Sequence, residues 1–503
     1  MIQTLILLIR PALIGGIALF GFGYLWYSII FKNHFAKLRA EEGKTKETPS
    51  KEQMLKTHGI KFAQTAIANG AVAVLTDLSS ETEIKDLSIP VFKCQNPRFE
   101  MGKIAAWFYD KPFEKLTAIG ITGTNGKTTS ASFVNQLLKS TGKKCALLGT
   151  VNLEINDQKF AAERTTPESV DLQSFAAAAL EQGVTHLVME VSSHALALDR
   201  VIGCHFKVSA FTNLTQDHLD FHGNMENYFQ AKAKLFTSEL SDSSVLNIDD
   251  GYAQKLSEQL FKSGLATSKV SCKNNSADVS LVNFDASTKK LELQIKGQKL
   301  VTEFNFFGSY NLENLMIAIG ICVQLGVPVK ELAPAIADLK PVPGRLEQIN
   351  AGQKFLAFVD YAHTPDAVIR VLKTAREFTT GNVIGVLGCG GDRDASKRSP
   401  MGNALNNNSD VAIFTSDNPR SEPAESILKQ MTSGITVELP SKIMIDRKAA
   451  IEYAVSVAKP EDCVLVLGKG HEVGQEISGN KTPFDDRIEL KTAILNKLKG
   501  ETK

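Results

Sequence analysis

The stretch Gly120-Ile-Thr-Gly-Thr-Asn-Gly-Lys-Thr-Thr129 constrains this chain more than any other part of it. It is a glycine-rich turn set between a strand-like run, KLTAIGIT, and a helix-like run, SASFVNQLLKS. Glycines reach positive φ angles without steric cost and let successive N–H groups converge on phosphate oxygens. Lys127 would add charge to such a cradle, and the Thr128 hydroxyl a ligand for Mg²⁺. Five residues rather than four separate Gly120 from Gly126, so the strict G-x-x-x-x-G-K-[ST] pattern is not met. The turn is expected to hold a nucleotide phosphate; the alternative is an ordinary surface turn rich in glycine.

The chain around it alternates. Strand-like AIGIT, CALLGTV, THLVMEV and VSAFTNL are separated by helical stretches, as a mostly parallel sheet with crossover helices requires. Phosphate chemistry then belongs at the carboxyl ends of those strands. After the Pro-Val-Pro-Gly turn at 341 to 344, FLAFVDY, NVIGVLGCG, VAIFTSD and CVLVLGK alternate with helices again, a second αβ region. Upstream, KFAQTAIANGAVAVL and IPVFKCQNP followed by MGKIAAWFYD read as two smaller αβ units. At 503 residues the length suits about three domains.

Composition removes other classes. Lys plus Arg (56) nearly cancels Asp plus Glu (55), so no basic field points to nucleic acid. Seven scattered cysteines, without a C-x-x-C pair, suit a reducing, cytoplasmic setting better than a disulfide framework. The N-terminus differs: Pro11 to Phe31 is 21 residues without a charge, enough to cross a bilayer core. Lys32, Lys37, Arg39, Lys44 and Lys46 follow it, which would place the downstream chain on the cytoplasmic side as a membrane-tethered protein. A buried hairpin or a mis-assigned start are the alternatives, and residues 40 to 57 read as a solvated linker.

Several polar clusters end strands. Glu190 in EVSSHAL is a candidate Mg²⁺ ligand, against the alternative of a solvated carboxylate beside a helix capped by Ser192 or Ser193. Asp217-His218-Leu-Asp220-Phe-His222 lacks the closing set of a zinc site and better suits one imidazole and one carboxylate near a phosphate-bound cation. Lys232, in YFQAKAKLF, reads locally as a solvent-exposed lysine. DYAHTPD, GCGGDRD, SDNPRSE and GKGHE also follow strands, and four such loops on one domain suggest a binding face.

Together Gly123 to Thr129, Thr165-Thr-Pro167, EVSSHAL, NLTQDHLDFHG, YFQAKAKLF, GSYNLEN, PGRLE, DYAHTPD, GDRD, SDNPR and GKGHE resemble the Mur ligases, in family order, over about residues 60 to 490. The resemblance implies an α/β, three-domain Mur ligase architecture. Residues 1–57 would be the apolar segment and linker, and 58–112 a truncated N-terminal αβ domain. A central P-loop ATPase-like parallel sheet domain would occupy 113–342 and a Rossmann-like αβ domain 343–503.

The same resemblance implies an ATP-dependent amide ligase of cell-wall precursor synthesis. It would phosphorylate the D-glutamyl γ-carboxylate of UDP-N-acetylmuramoyl-L-alanyl-D-glutamate and let an amine attack the acyl phosphate. ATP would be held by Gly123, Thr124, Asn125, Gly126, Lys127, Thr128 and Thr129, with Asn311, Asn314, Arg345 and Asp360. Thr128, Glu190 and His218 would hold Mg²⁺, with Lys232 acting as a CO₂-derived carbamate. Thr165, Thr166, Ser192 and Arg200 would hold the precursor peptide. Arg393, Asp417, Asn418, Pro419, Arg420, Gly468 and Glu472 would hold the amino acid, and Asp-Asn-Pro-Arg marks the variant that takes meso-diaminopimelate. An arginine pairs bidentately with the distal carboxylate that L-lysine lacks.

The chain departs from the family in two places. The Asp-Ser-Arg-type segment and glycine-rich strand that hold the uridine end are not found before His58, and Leu198 stands where a polar residue is usual. An active ligase with a rebuilt uridine pocket is expected; a non-catalytic ATP- or precursor-binding paralogue, and an L-lysine-adding or folylpolyglutamate-synthetase-like ligase, are the alternatives.

Overall fold

The computed structural model describes residues 87–162 and 164–501, the stretch 73–78, Ile67 and Ala71, and two short strands further upstream. Those two, Phe20–Gly21 and Tyr24–Leu25, pair antiparallel, so where the apolar run is described it is a strand pair and not the expected membrane helix, its backbone groups satisfied across strands instead of along a helix. The rest of the expected membrane helix, the linker and most of the first αβ unit lie outside the described residues. Among the described residues no helix is long and apolar enough to cross a membrane.

Val74–Asp77 and Val91–Cys94 form a small parallel pair, followed by the helix Pro97–Phe108, which Asn96 caps by accepting from the Phe99 N–H. The chain then enters an eleven-stranded sheet. Thr117–Thr122 lies at its middle, flanked by Val208–Phe211 on one side and His186–Glu190 on the other, all parallel. Seven parallel strands form the centre, from Val279–Asp285 across to Cys145–Leu148. Hairpins close both edges: Lys290–Ile295 with Gln298–Glu303, and Asn152–Ile155 with Gln158–Ala161.

Apolar side chains on both faces explain why the central strands read as continuous hydrophobic runs. Helices Lys127–Ser140 and Ser309–Gln324 cover one face, and Ser169–Glu181, Met225–Ala233 and Gly251–Ser263 the other. The last of these is bounded by its own chemistry. Asp250 accepts from the Tyr252 and Ala253 N–H groups at its start, and Gly264 takes φ 77° at its end.

A second, six-stranded sheet runs in the order Glu347–Gln348, Leu356–Asp360, Cys463–Leu467, Val383–Cys389, Val411–Ser416, Lys442–Met444. All but the first are parallel, and the middle three are buried along their whole length. Helices Pro365–Phe378, Arg398–Asn408 and Ala424–Met431 pack on one face, and Arg447–Val457 with Asp486–Glu501 on the other. The carboxyl ends of Thr117–Thr122 and His186–Glu190 in the first sheet, and of Leu356–Asp360 in the second, open on one cleft.

Candidate active site

The phosphate turn starts later than its glycine pattern suggests. Gly120 belongs to the buried strand, where a Cβ would meet the Phe206 ring at 3.0 Å. Gly123 (φ 149°) and Gly126 (φ 85°) are the glycines that shape the loop, and Lys127–Ser140 begins directly after. A Cβ on Gly123 would lie 1.9 Å from Thr212 Oγ1, and one on Gly126 2.1 Å from Asn314 Oδ1. The loop is anchored from the next strand, since the Thr124 N–H donates to the Asn213 carbonyl (2.9 Å) and the Asn125 N–H to Asn213 Oδ1 (3.0 Å).

Lys127 Nζ donates to the Gly123 and Thr124 carbonyls at 2.9 and 2.8 Å. Burial pushes its pKa down, opposed by the nearby Glu190 and Asp217 carboxylates. Glu190 is not solvated: it is 1% exposed and takes three donors. These are Thr128 Oγ1 (2.9 Å), the Thr150 N–H (2.7 Å) and Thr150 Oγ1 (3.1 Å). Ser192 caps the following helix as well, accepting from the Ala195 N–H. The cap and the buried carboxylate coexist.

Lys232 overturns its local reading as a solvent-exposed lysine. It is 1% exposed, lies over the Tyr228 ring, and donates to the Gly123 carbonyl at 2.8 Å from beneath the loop. Burial first, then the charge of Lys127, drive its pKa well below the ordinary lysine value. His218 (φ 53°) sits 3.4 Å from Asp217 Oδ2 and packs edge-on against His194. Burial lowers both imidazoles to about 4, so each is neutral and keeps a lone pair at physiological pH. Among the described residues no group of three or more His, Cys, Asp and Glu side chains is arranged to hold a metal ion.

The second sheet closes the cleft. Arg345 Nη2 donates to Thr128 Oγ1 at 3.3 Å, and its guanidinium stacks over Tyr361 at 4.6 Å. Its buried Nε has no partner. Both oxygens of Asp360 take backbone N–H groups, from Leu346 (2.6 Å) and Ala362 (2.8 Å). Lys397 ties the halves together through Asp217 Oδ1 at 3.1 Å.

Thr124 to Thr129, Thr165, Glu190, His218, Asn314, Arg345 and Asp360 thus line one cavity of about 290 Å³. Asn311 lies behind it, donating to the Phe307 carbonyl. Thr166 Oγ1 bonds the Glu190 carbonyl and Ser192 Oγ, and Arg200 donates to the Thr166 carbonyl, so these three are knit to the strand end. Thr150, Tyr310, Tyr361, His363 and Arg370 also line the cavity and carried no individual signal. His363 lay within DYAHTPD, a loop already marked as polar.

The remaining expected residues gather apart from this cavity. Asn418 Nδ2 donates to Glu472 Oε2 (2.8 Å). Arg420 Nη1 donates to the Gly391 carbonyl (2.7 Å), and its Nε lies 3.7 Å from Glu476 Oε2. Arg393 borders the same loop, its Cγ 3.6 Å from a Cβ built on Gly390. Gly468 needs its φ of 109°, and a Cβ there would come within 2.9 Å of Asp417 Oδ2.

Set against known proteins, residues 121–322 match the Mur ligase middle domain and residues 344–470 the Mur ligase, glutamate ligase domain. A UDP-N-acetylmuramoyl-L-alanyl-D-glutamate--2,6-diaminopimelate ligase of Streptomyces coelicolor is 42% identical over 461 residues, covering 87% of each chain. The ligase of the same name from Geobacillus kaustophilus is 40% identical, over 87% of this chain and 89% of its own. A solved structure of an enzyme of that name superposes with a TM-score of 0.64 at 34% identity, covering 88% of this chain and 90% of its own. MurF from Acinetobacter baumannii shares the fold at 15% identity, with a TM-score of 0.56 over 88% of each chain. With two family domains matched in order and relatives of this identity along most of its length, the chain belongs to the Mur ligase family.

Proposed function

We propose that this protein joins meso-diaminopimelate to the D-glutamyl γ-carboxylate of UDP-N-acetylmuramoyl-L-alanyl-D-glutamate, with ATP cleaved to ADP and phosphate. The observation that carries the reading is the pairing of a phosphate cradle with the Asp417–Arg420 loop in a chain 42% identical to a ligase of that name. We also place the domain boundaries near residues 113 and 343, as the two large sheets suggest.

The cleft suits an ATP-borne anion. Gly123 and Gly126 leave no room for a Cβ, and the orphaned Arg345 Nε is a buried donor in want of an acceptor. Lys127, released from its two carbonyls, neutralises charge on the moving phosphoryl group. Asn311 and Asn314 shape the nucleotide end, and Asp360, both oxygens already held by backbone, presents its remaining lone pairs to the ribose.

Thr128, Glu190 and His218 offer hard oxygen and neutral imidazole donors that fit Mg²⁺. When bound, the ion would supply charge neutralisation for phosphoryl transfer. Lys232, driven toward the free amine, is nucleophilic enough to add to CO₂. The amine forms an N–C bond, loses one proton and leaves an anionic carbamate beside the loop. Activity lost in CO₂-free buffer and restored by bicarbonate would establish that; activity indifferent to CO₂ would remove it.

Thr165, Thr166, Ser192 and Arg200 position the dipeptide so that its γ-carboxylate meets the phosphoryl group. The acyl phosphate then presents a good leaving group to the incoming amine, and amide and phosphate result. Arg393, Asp417, Asn418, Pro419, Arg420, Gly468 and Glu472 hold that amine's owner. Arg420 meets the distal carboxylate of diaminopimelate, whereas L-lysine would leave it unpaired. A tether through the apolar run Pro11 to Phe31, whose described part is an antiparallel strand pair and not a helix, is decided by fractionation of full-length protein.

The test is ATP-dependent phosphate release with the UDP-dipeptide, comparing meso-diaminopimelate with L-lysine and weighing the product. Turnover with diaminopimelate is expected. Turnover with L-lysine alone, or ATP binding without turnover, would contradict the proposal.

A further inference from the structure

Beneath the Asp417–Arg420 loop lies a buried cation that none of the roles above uses. Lys469 is 0% exposed. It follows the strand Cys463–Leu467 between Gly468 (φ 109°) and Gly470 (φ 54°), two left-handed turns that fold its side chain inward. Its ammonium has three protons and meets three acceptors: Asn418 Oδ1 (3.1 Å) from the loop above, and Glu472 Oε2 (3.3 Å) and the Gly474 carbonyl (2.7 Å) from the chain just beyond it.

Each contact decides something at the surface above. Asn418 Oδ1 receives Lys469 and the Glu476 N–H (2.9 Å), so its Nδ2 must turn to Glu472 Oε2. Two donors therefore converge on Glu472 Oε2, while Oε1 has no hydrogen bond among the described residues and the side chain is 35% exposed. The Gly474 carbonyl begins the hairpin strand Gly474–Ile477, to which Arg420 is bound at both backbone ends. Its N–H donates to the Glu476 carbonyl at 3.0 Å and its carbonyl accepts from the Ser478 N–H at 2.6 Å.

We propose that Lys469 is a positioning residue of the amino-acid pocket: it sets Glu472 and Arg420 in the relative placement that receives a carboxylate and an ammonium borne on one carbon. The inference rests on the reading of Asn418, Arg420 and Glu472 as that pocket. The far end of meso-diaminopimelate carries both groups, whereas the far end of L-lysine carries an ammonium alone. With Lys469 in place, half of the Glu472 carboxylate is committed to the protein and the other oxygen has a fixed direction. Without it, Glu472 loses its counter-charge and is held only by the Asn418 amide, which favours a lone ammonium and disfavours a zwitterionic end.

Steady-state kinetics of the full chain test this with Lys469→Met, which keeps the stem and removes the charge. Lys469→Gln, which keeps neutral donors, serves as a second variant should the first not fold. The KM for meso-diaminopimelate should rise about tenfold, those for ATP and UDP-dipeptide should stay within about twofold, and the preference for diaminopimelate over L-lysine should narrow. A change shared equally by all three substrates, no change, or loss of folding in both variants would overturn the proposal and leave Lys469 a stabilising residue only. A wild type that prefers L-lysine would instead overturn the reading of the pocket itself.

Discussion

Each of the two large sheets holds a pair of long basic side chains, Lys232, Arg447 and Lys469 buried and Lys127 half-buried, and the two pairs are settled differently. In the first, Lys127 and Lys232 donate to backbone carbonyls, and among the described residues neither has a carboxylate at ion-pair distance. In the second, Arg447 grips Asp486 through Nε (2.7 Å) and Nη2 (2.6 Å), both residues wholly buried, and Lys469 reaches Glu472. Arg447 also donates to the carbonyls of Ser416 (3.2 Å) and Leu467 (2.9 Å), the last residues of the two strands that lead into SDNPR and GKGHE.

A desolvated charge without a counter-charge is expensive, and both lysines of the first sheet answer with depressed pKa values. Such a charge persists where an anionic ligand completes it. The paired cations of the second sheet are already complete and serve as scaffold. On the proposed reading the first sheet holds the reactive centre that receives phosphate, and the second a rigid frame for selection.

The contrast breaks most sharply at Arg447. Arg447→Met leaves Asp486 buried and alone, and should cost about 3–5 kcal/mol of stability, read by denaturant unfolding. The double variant with Asp486→Leu should recover most of that loss. Lys127→Met should do the reverse, lowering kcat by about 10²–10³ while the melting temperature holds or rises. A melting temperature that fell as far as in Arg447→Met would erase the distinction between the pairs.

Arg420→Ala should lower kcat/KM for meso-diaminopimelate about ten- to a hundredfold, with the KM for ATP unchanged. Unchanged use of diaminopimelate would remove Arg420 as the discriminator. The smallest effect concerns pH. Burial, then Arg345 and Arg487, push His471 down to about 4, against about 6.5 in an unfolded chain. Between those values the unfolded chain takes up a proton that the folded one refuses. The stability associated with neutral His471 is therefore complete above about pH 6.5 and declines as pH falls toward 4. Melting temperatures of His471→Gln should depend less steeply on pH across that window.

Local chemistry made part of this visible in the sequence. The phosphate turn, the parallel strands and Glu190 at a strand end follow from glycine placement and apolar runs, which act over a few residues. Gly120 misled the spacing, because a glycine packed beneath Phe206 in a strand looks the same in sequence as one in the loop. Lys232 read as solvated because its burial is made by Gly123, more than a hundred positions away. Arg447 and Lys469 passed unmarked for the same reason: the Asp486 partner of Arg447 sits 39 positions along the chain. The edge hairpin Lys290–Ile295 with Gln298–Glu303 went unmarked as well; only its alternating burial distinguishes it, on strands with a solvated side. The resemblance to a family supplied the roles proposed for Lys232 and Arg420, which no local rule could suggest.

The most direct test separates activation from selection in one experiment. In a rapid-quench single turnover with ATP and UDP-dipeptide but no amino acid, hydroxylamine would trap the acyl phosphate as a hydroxamate. Wild type and Arg420→Ala should form hydroxamate and ADP at the same rate, and Lys127→Met should form neither. Equal loss of hydroxamate in Arg420→Ala and Lys127→Met would contradict the division of labour between the two sheets.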